Sequence, residues 1–348
     1  ESSVIKKNFK IYKVNLSDGR LRTSEKRIVT FSKILTILKA VKNISSVSKK
    51  IDIFYLTISQ SFFGSIRDIS ILRTIYNKKR KDAKVIIHLH GGGFRNFYNN
   101  TNKVLKKLIK KFYSKVDKAI VLSNSLCKMF ENIITEDKIY VVENCVDHSC
   151  FINSMIIKNK IENINLKKDI NVIYLSNMIY TKGYFDVLKS ADIISKHVNY
   201  KFYFAGAFPT IDAKKEFDDY IKLKGLTDNV RYLGIVDGDI KKELLIKGDI
   251  FVLPTYFPPE GQPISILEAM GAAMPIITTK HGGIPDIIKD GINGFYVMKK
   301  DPQSIANAIE KLVKDRELFK KIALQNRSEV ENKYLEKHYI DKMLQVFC

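Results

Sequence analysis

Two carboxylates eight residues apart, Glu260 and Glu268, bracket the stretch of this chain whose residue types best suit chemistry. They lie in Pro254-Thr-Tyr-Phe-Pro-Pro-Glu260-Gly-Gln-Pro-Ile-Ser-Ile-Leu-Glu268-Ala-Met-Gly271. The run before it, Asp249-Ile-Phe-Val-Leu253, reads as a buried strand closed by a proline. From Ile264 the apolar positions Ile264, Leu267 and Met270 recur at helical spacing. Pro263 is expected at the first helical position, where a missing N–H costs nothing. The amides of Ile264, Ser265 and Ile266 would then point back at Glu260, Gly261 and Gln262. A helix start with free donors and a positive dipole end is a ready anion site. Carboxylates on both sides of it suit a ligand with hydroxyls flanking a phosphate, as in a sugar, a diphosphate and a ribose. Taken alone, two Glu at this spacing also fit an ordinary acidic helix after a loop.

The flanks narrow the choice. Glu, seven residues, Glu, with Pro-Thr before and Ala-Met-Gly after, and Thr278-Thr-Lys-His-Gly282-Gly283-Ile-Pro-Asp286 behind, resembles the donor-site signature of family 4 of the retaining glycosyltransferases. The variant Glu-Gly-Gln-Pro is similar to that of bacterial capsule and cell-surface polysaccharide glycosyltransferases. The resemblance implies an α/β protein of GT-B architecture, two Rossmann-like doubly wound domains facing a cleft. It implies a nucleotide diphosphate sugar as donor, a glycan or lipid-linked acceptor, and no metal or other cofactor. Glu260 would bind the donor sugar and Glu268 the ribose. Gly261, Gln262, Pro263, Ile264 and Ser265 would hold the diphosphate through the backbone.

Two further segments carry candidate residues. Ser176-Asn177-Met-Ile-Tyr-Thr-Lys182-Gly183 follows a strand at 170–175 and is similar to the family's Gly-Arg…Lys-Gly segment. Lys182 matches the lysine that holds the donor diphosphate; Asn177 stands where most relatives have Arg and is kept as a hydrogen-bond donor. Gly206, at the end of the next strand, is expected to line the donor site. In the first half, His88-Leu-His90-Gly-Gly-Gly93-Phe-Arg95 ends a strand at 85–90. Ligands of open α/β sheets sit at the carboxyl ends of strands, and glycines allow close approach to the backbone. By the resemblance His90, with Lys182 and Glu260, is a catalytic candidate. Gly91, Gly92 and Arg95 are assigned to the acceptor side. His88 is read as facing the other way and buried against a neighbour.

These residues need a frame of alternating strands and helices. Strands are expected at 10–16, 51–58, 85–90, 118–122 and 138–142, with helices at 25–46, 65–80 and 102–116 between them. After a polar linker at 151–169 come strands at 170–175, 201–206, 230–233, 250–253, 275–278 and 294–297. Helices are expected at 184–197, 212–224, 238–247, 302–314 and 316–346. Strands separated by helices pair in parallel. The expected division is an acceptor-side domain over 1–165, a donor-binding domain over 166–330 and a C-terminal helix over 331–348 returning to the first domain. The opening Glu1-Ser-Ser-Val looks like the helix after the family's first strand and glycine loop, so that strand and loop are expected to be missing.

The 348 residues suffice for two domains, and no apolar run approaches the length of about 20 that spans a bilayer. Four cysteines without metal spacing or a paired framework suit a reducing, cytoplasmic setting. The net charge of +22 is uneven: residues 1–165 hold 32 Lys and Arg against 13 Asp and Glu. A Lys-, Ile- and Asn-rich composition accounts for part of this. An anionic membrane surface at the inner face of the cell membrane is the candidate partner for the rest; no nucleic-acid-binding motif accompanies the charge. Asp237-Gly-Asp239 fits a metal-binding pattern but is placed on a surface loop. No Gly-x-Gly-x-x-Gly follows any strand, which argues against a dinucleotide-dependent dehydrogenase. A degenerate relative serving as a partner subunit is the alternative, on the strength of the missing loop, Asn177, and Cys145 at a position that is glycine in the family.

Overall fold

A computed structural model describes residues 7–15, 31–194 and 199–348. The chain divides into two compact units, one of residues 1–143 with 339–348 and one of residues 144–338.

The first unit is built on four parallel strands, β1 (Ile53–Thr57), β2 (Lys84–Leu89), β3 (Lys118–Val121) and β4 (Ile139–Val141), lying side by side in chain order. Alternation along the strands sends side chains to two faces. Phe54, Leu56, Val85, Ile87, Leu89, Ala119 and Val121 pack against helices Phe62–Lys78 and Lys103–Tyr113 through Ile69, Leu72, Ile75, Leu105 and Ile109. The opposite face, with Ile86, Ile120 and Val142, is covered by Met343 and Val346 from the last helix, Glu336–Phe347. The strand expected at 10–16 is absent over residues 10–15: Ile11 and Tyr12 are exposed and pair with no neighbouring strand. The expected helix at 25–46 is present as Phe31–Val47, its first residues lying outside the described ones. The reading of Glu1 to Val4 also lies outside them.

The second unit holds six parallel strands: β5 (Ile170–Leu175), β6 (Tyr200–Ala205), β7 (Val230–Gly234), β8 (Ile250–Leu253), β9 (Ile276–Thr278) and β10 (Gly294–Tyr296). Their order is β10-β9-β8-β5-β6-β7. The chain therefore winds outward from β5 in one direction, returns at β8 and winds outward in the other. Helices on both faces make the strands continuous apolar runs, as parallel sheets require; β8 is buried at every position. The point where the order reverses, between β5 and β8, is where such sheets leave a crevice at the strands' carboxyl ends.

Two expectations fail here. Residues 151–169 are no linker: Ser154–Glu162 is a helix whose Ile157 and Ile161, with Ile164 just beyond, enter the core of the second unit. The division between units accordingly falls at Glu143/Asn144 rather than at 165. The helix expected over 316–346 is broken into Arg316–Lys333 and Glu336–Phe347, because Tyr334 O accepts the Val146 N–H at 2.8 Å and Val146 bridges to Leu335.

Candidate functional site

The β5 and β8 loops meet at the reversal point of the second sheet, where Tyr256 N–H donates to Thr181 O at 2.7 Å. On the β5 side, Tyr180–Lys182 makes one tight turn and Gly183 turns the chain into helix Tyr184–Ile194. Gly183 has φ +80°, and a Cβ there would meet Pro254 Cγ and O at 2.7 Å, so only glycine lets these loops approach. On the β8 side, Thr255, buried, donates its hydroxyl to Glu260 Oε2 at 2.9 Å. The Lys182 amine reaches the same carboxylate oxygen at 3.2 Å and lies 5.1 Å over the Phe257 ring. Both partners of this ion pair are largely withdrawn from water, at 16% and 8% side-chain exposure. Removing either would leave a buried charge uncompensated, at a cost of about 3–5 kcal/mol.

Helix Ile264–Gly271 begins one residue later than the sequence predicts. Pro263 is its N-cap in extended conformation, not its first helical residue, and no side chain caps it. The Ile266 N–H is taken by Pro263 O at 3.2 Å, so Ile264 and Ser265 carry the free donors, not all three. The opposite end is amply served: Arg327 donates to Gly271 O at 2.7 Å and Lys160 to Ala272 O at 2.8 Å. The Arg327 guanidinium at the carboxyl end and an open amino end leave the helix dipole aimed at whatever lies before Ile264.

Glu268, 5% exposed, accepts from the Lys241 amine at 2.8 Å. Burial pulls that amine's pKa down, but the Glu268 carboxylate outweighs it and holds the group above its ordinary value. Gln262 Oε1 takes the Asn144 N–H at 2.6 Å, and Gln262 O takes the Asn144 side-chain amide at 2.8 Å. Gly261 O accepts from Gly283 N–H at 2.8 Å, which fastens the Gly282-Gly283 turn under the Glu260 loop. Asn177 is exposed; its carbonyl is bound by Tyr174 OH at 3.1 Å. Gly206, at φ +146°, sits so close to Ser176 that a Cβ would fall 1.9 Å from its carbonyl oxygen. Its requirement is thus local packing of the β5 and β6 ends. Asp237 accepts from Gly238 N–H as N-cap of helix Gly238–Lys247.

The first unit carries its candidates just past β2. His88 and His90 are not on opposite sides: two residues apart, they share a face, and their rings stack at 3.8 Å. His88 is buried with Nδ1 2.5 Å from Tyr55 OH; burial, then His90, pushes its pKa down to about 2. His90 presents its outer edge to solvent, and the desolvation of its covered face lowers its pKa as well. Gly93 N–H donates to Gln60 Oε1 at 2.6 Å, tying the Gly91-Gly92-Gly93 loop to the loop after β1. Arg95 is engaged: it donates to Glu131 O at 2.5 Å and faces the Glu131 carboxylate at 3.6 Å.

The structure brings Lys182 and Glu260, two residues singled out from the sequence, into one ion pair. Sequence reasoning missed Thr255 as the partner of Glu260, Lys241 as the partner of Glu268 and Asn144 as the partner of Gln262. Thr255 was legible in hindsight as the Thr of the Pro-Thr flank; nothing around Lys241 marks it.

Comparisons with known proteins agree on fold and family. The chain superposes on a solved Anabaena protein, HepE in complex with UDP and glucose, with a TM-score of 0.69 and 18% identity over 92% of this chain and 83% of that one. It matches a Rickettsia africae glycosyltransferase structure at a TM-score of 0.70 and 20% identity, with 92% and 83% coverage. The fold is GT-B, with a parallel-sheet α/β domain in each unit. A glycosyltransferase of uncharacterised activity from Methanocaldococcus jannaschii is 29% identical over 220 residues, 61% of this chain and 54% of that protein. The capsular polysaccharide biosynthesis glycosyltransferase CapM of Staphylococcus aureus is 33% identical over 162 residues, 46% of this chain and 41% of its own. The matched stretch spans about half the length of these curated relatives. The family of group 1 glycosyl transferases matches residues 156–329, half of the 348, and the chain belongs to that family.

Proposed function

We propose that the protein transfers a sugar from a nucleotide diphosphate donor to a glycan or lipid-linked acceptor in cell-surface polysaccharide synthesis, with retention at the anomeric carbon. The observation that carries this is the Lys182–Glu260 pair beside the uncapped start of helix Ile264–Gly271, at the reversal point of a doubly wound sheet. An amine and free amides there offer fixed positive charge to a leaving diphosphate, stabilising charge as it develops and without metal. Glu260 is assigned the donor sugar hydroxyls, and Glu268, held by Lys241, the ribose hydroxyls. Asn177 and the Gly261–Ser265 backbone complete the diphosphate contacts. Both glutamates carry cation partners, which suits binding and orientation better than attack as a nucleophile. The reading is therefore leaving-group stabilisation with attack from the same face. His90 is assigned to the first unit's part in the transfer, and Gly91, Gly92 and Arg95 to the acceptor. CapM, with its role in capsule synthesis, favours the polysaccharide context. So does a Campylobacter jejuni relative, 25% identical, named for transfer to a diphospho-undecaprenol-linked sugar.

A thermal-shift panel of nucleotide sugars tests this first, since a ligand that binds only the folded chain stabilises it in proportion to RT ln(1 + [L]/Kd). A shift with one nucleotide diphosphate sugar, followed by donor turnover in chelator with the α or β product configuration of the donor preserved, supports the reading. No shift with any of them overturns it. Binding without turnover supports the degenerate partner subunit instead.

A further inference from the structure

We propose that the outer face of helix Lys103–Tyr113 is a docking surface for an anionic lipid bilayer. The helix, KVLKKLIKKFY, turns Leu105, Ile109 and Tyr113 into the core of the first unit. Its other side carries Lys103, Lys107, Lys110 and Lys111, all exposed, at the spacing that lines up on successive turns. Beside them Val104 is 69% exposed and Leu108 38%. The helix contains no acidic residue. No carboxylate among the described residues pairs with any of these four lysines, whereas four helices of the second unit carry Lys–Glu or Lys–Asp pairs one turn apart.

An exposed helix of a protein with no such need would be expected to intersperse both signs of charge. Here the whole first unit is biased: its residues hold 31 Lys and Arg against 12 Asp and Glu, while the second unit holds 28 against 25. The charge complement of such a face is a polyanion. The two exposed aliphatic side chains decide which one, because they gain from entering the headgroup boundary and offer nothing to a phosphodiester backbone. Each lysine near an anionic leaflet adds to the attraction, which falls off within a Debye length. Four lysines with two aliphatic residues give a reversible attachment rather than an anchor. Among the described residues no helix is long and apolar enough to cross a membrane.

The assignment rests on the first unit alone and leaves the donor residues untouched, so the two readings fail separately. The full chain is sedimented with vesicles of phosphatidylcholine alone and with 30% phosphatidylglycerol, at about 0.05 and 0.3 M salt. Binding to the anionic vesicles at least tenfold above the neutral ones, weakened at high salt, is expected. Lys103→Glu with Lys107→Glu and Lys111→Glu should lower that binding at least thirtyfold, and Val104→Ser with Leu108→Ser at least threefold. Both variants should keep the melting temperature and the nucleotide-induced thermal shift of the parent, since all five side chains are exposed. Equal binding to both vesicle types, or unchanged binding by the triple variant, overturns the proposal. So does tighter, lysine-dependent binding to single-stranded RNA than to the vesicles.

Discussion

At the carboxyl rim of the second unit the candidate groups are charged, paired and withdrawn from water: Lys182 on Glu260, Thr255 on Glu260, Lys241 on Glu268. At the rim of the first unit, no charged group among the described residues pairs with His90. His90 rests on another ring, His88, which in turn contacts Tyr55. Arg95 is tied to Glu131. Paired buried charges hold a fixed geometry before any ligand arrives, which suits recognition of a donor. A neutral imidazole with lowered pKa beside a glycine loop is adaptable, which suits a group that acts during transfer. Under the proposed function this difference separates binding from chemistry, and it can be broken by experiment.

Lys182→Ala should have the largest effect. It removes the amine from the diphosphate position and strands the Glu260 carboxylate, so donor affinity measured by calorimetry should fall at least about a hundredfold, or about 3 kcal/mol. Affinity within threefold of the parent would mean that the pair is a structural salt bridge and that the second rim does not recognise the donor. His90→Gln makes the complementary test. Turnover is expected to fall about a hundredfold, the range of a single proton-transfer or hydrogen-bonding group, while calorimetric affinity for the free nucleoside diphosphate stays within twofold. Loss of nucleotide affinity together with turnover would erase the division of labour.

How much of this the chain alone disclosed depends on the residue. Strand Ile170–Leu175 and helix Pro302–Lys314 are legible to the residue because apolar runs and an Asp-Pro start mark them. The linker at 151–169 was misread because Asn and Lys mask Ile157, Ile161 and Ile164, whose spacing of four and three is helical all the same. The stacked histidines were misassigned by parity, although positions i and i+2 of a strand always share a face. Lys241 stood beyond reach of any local pattern, since only the fold brings its helix to Glu268, 27 positions later. Gly206 is read from the sequence as lining the donor site and Gly183 only as part of the Lys-Gly segment, yet what requires glycine at both, close approach to the Pro254 and Ser176 backbone, appears only in three dimensions.

Gly206→Ala refines the comparison from the side of stability. Its Cβ would collide with Ser176 backbone, not a movable side chain, so the ends of β5 and β6 must separate. A loss of about 2 kcal/mol or more is expected, read as a fall of several degrees in melting temperature. If the variant melts with the parent but loses nucleotide binding, Gly206 contacts the ligand instead.

The smallest effect concerns the far end of helix Ile264–Gly271, which opens the proposed donor site. Lys160 places its amine on the carbonyl of Ala272, and burial pushes its pKa down to about 7, against the partial support of Asp249. In the unfolded chain the same amine titrates at its ordinary value of 10.5. Between these values the unfolded state binds the extra proton, so unfolding free energy rises with pH across that window and the penalty is fully present below about 7. The denaturant midpoint of the parent should therefore climb relative to that of Lys160→Met from pH 7 to pH 9, the variant having no amine to neutralise. Parallel curves for the two proteins would show that the amine stays charged when folded. The cation at the helix end would then reinforce the dipole that the second rim presents to its ligand, and the contrast between the rims would deepen.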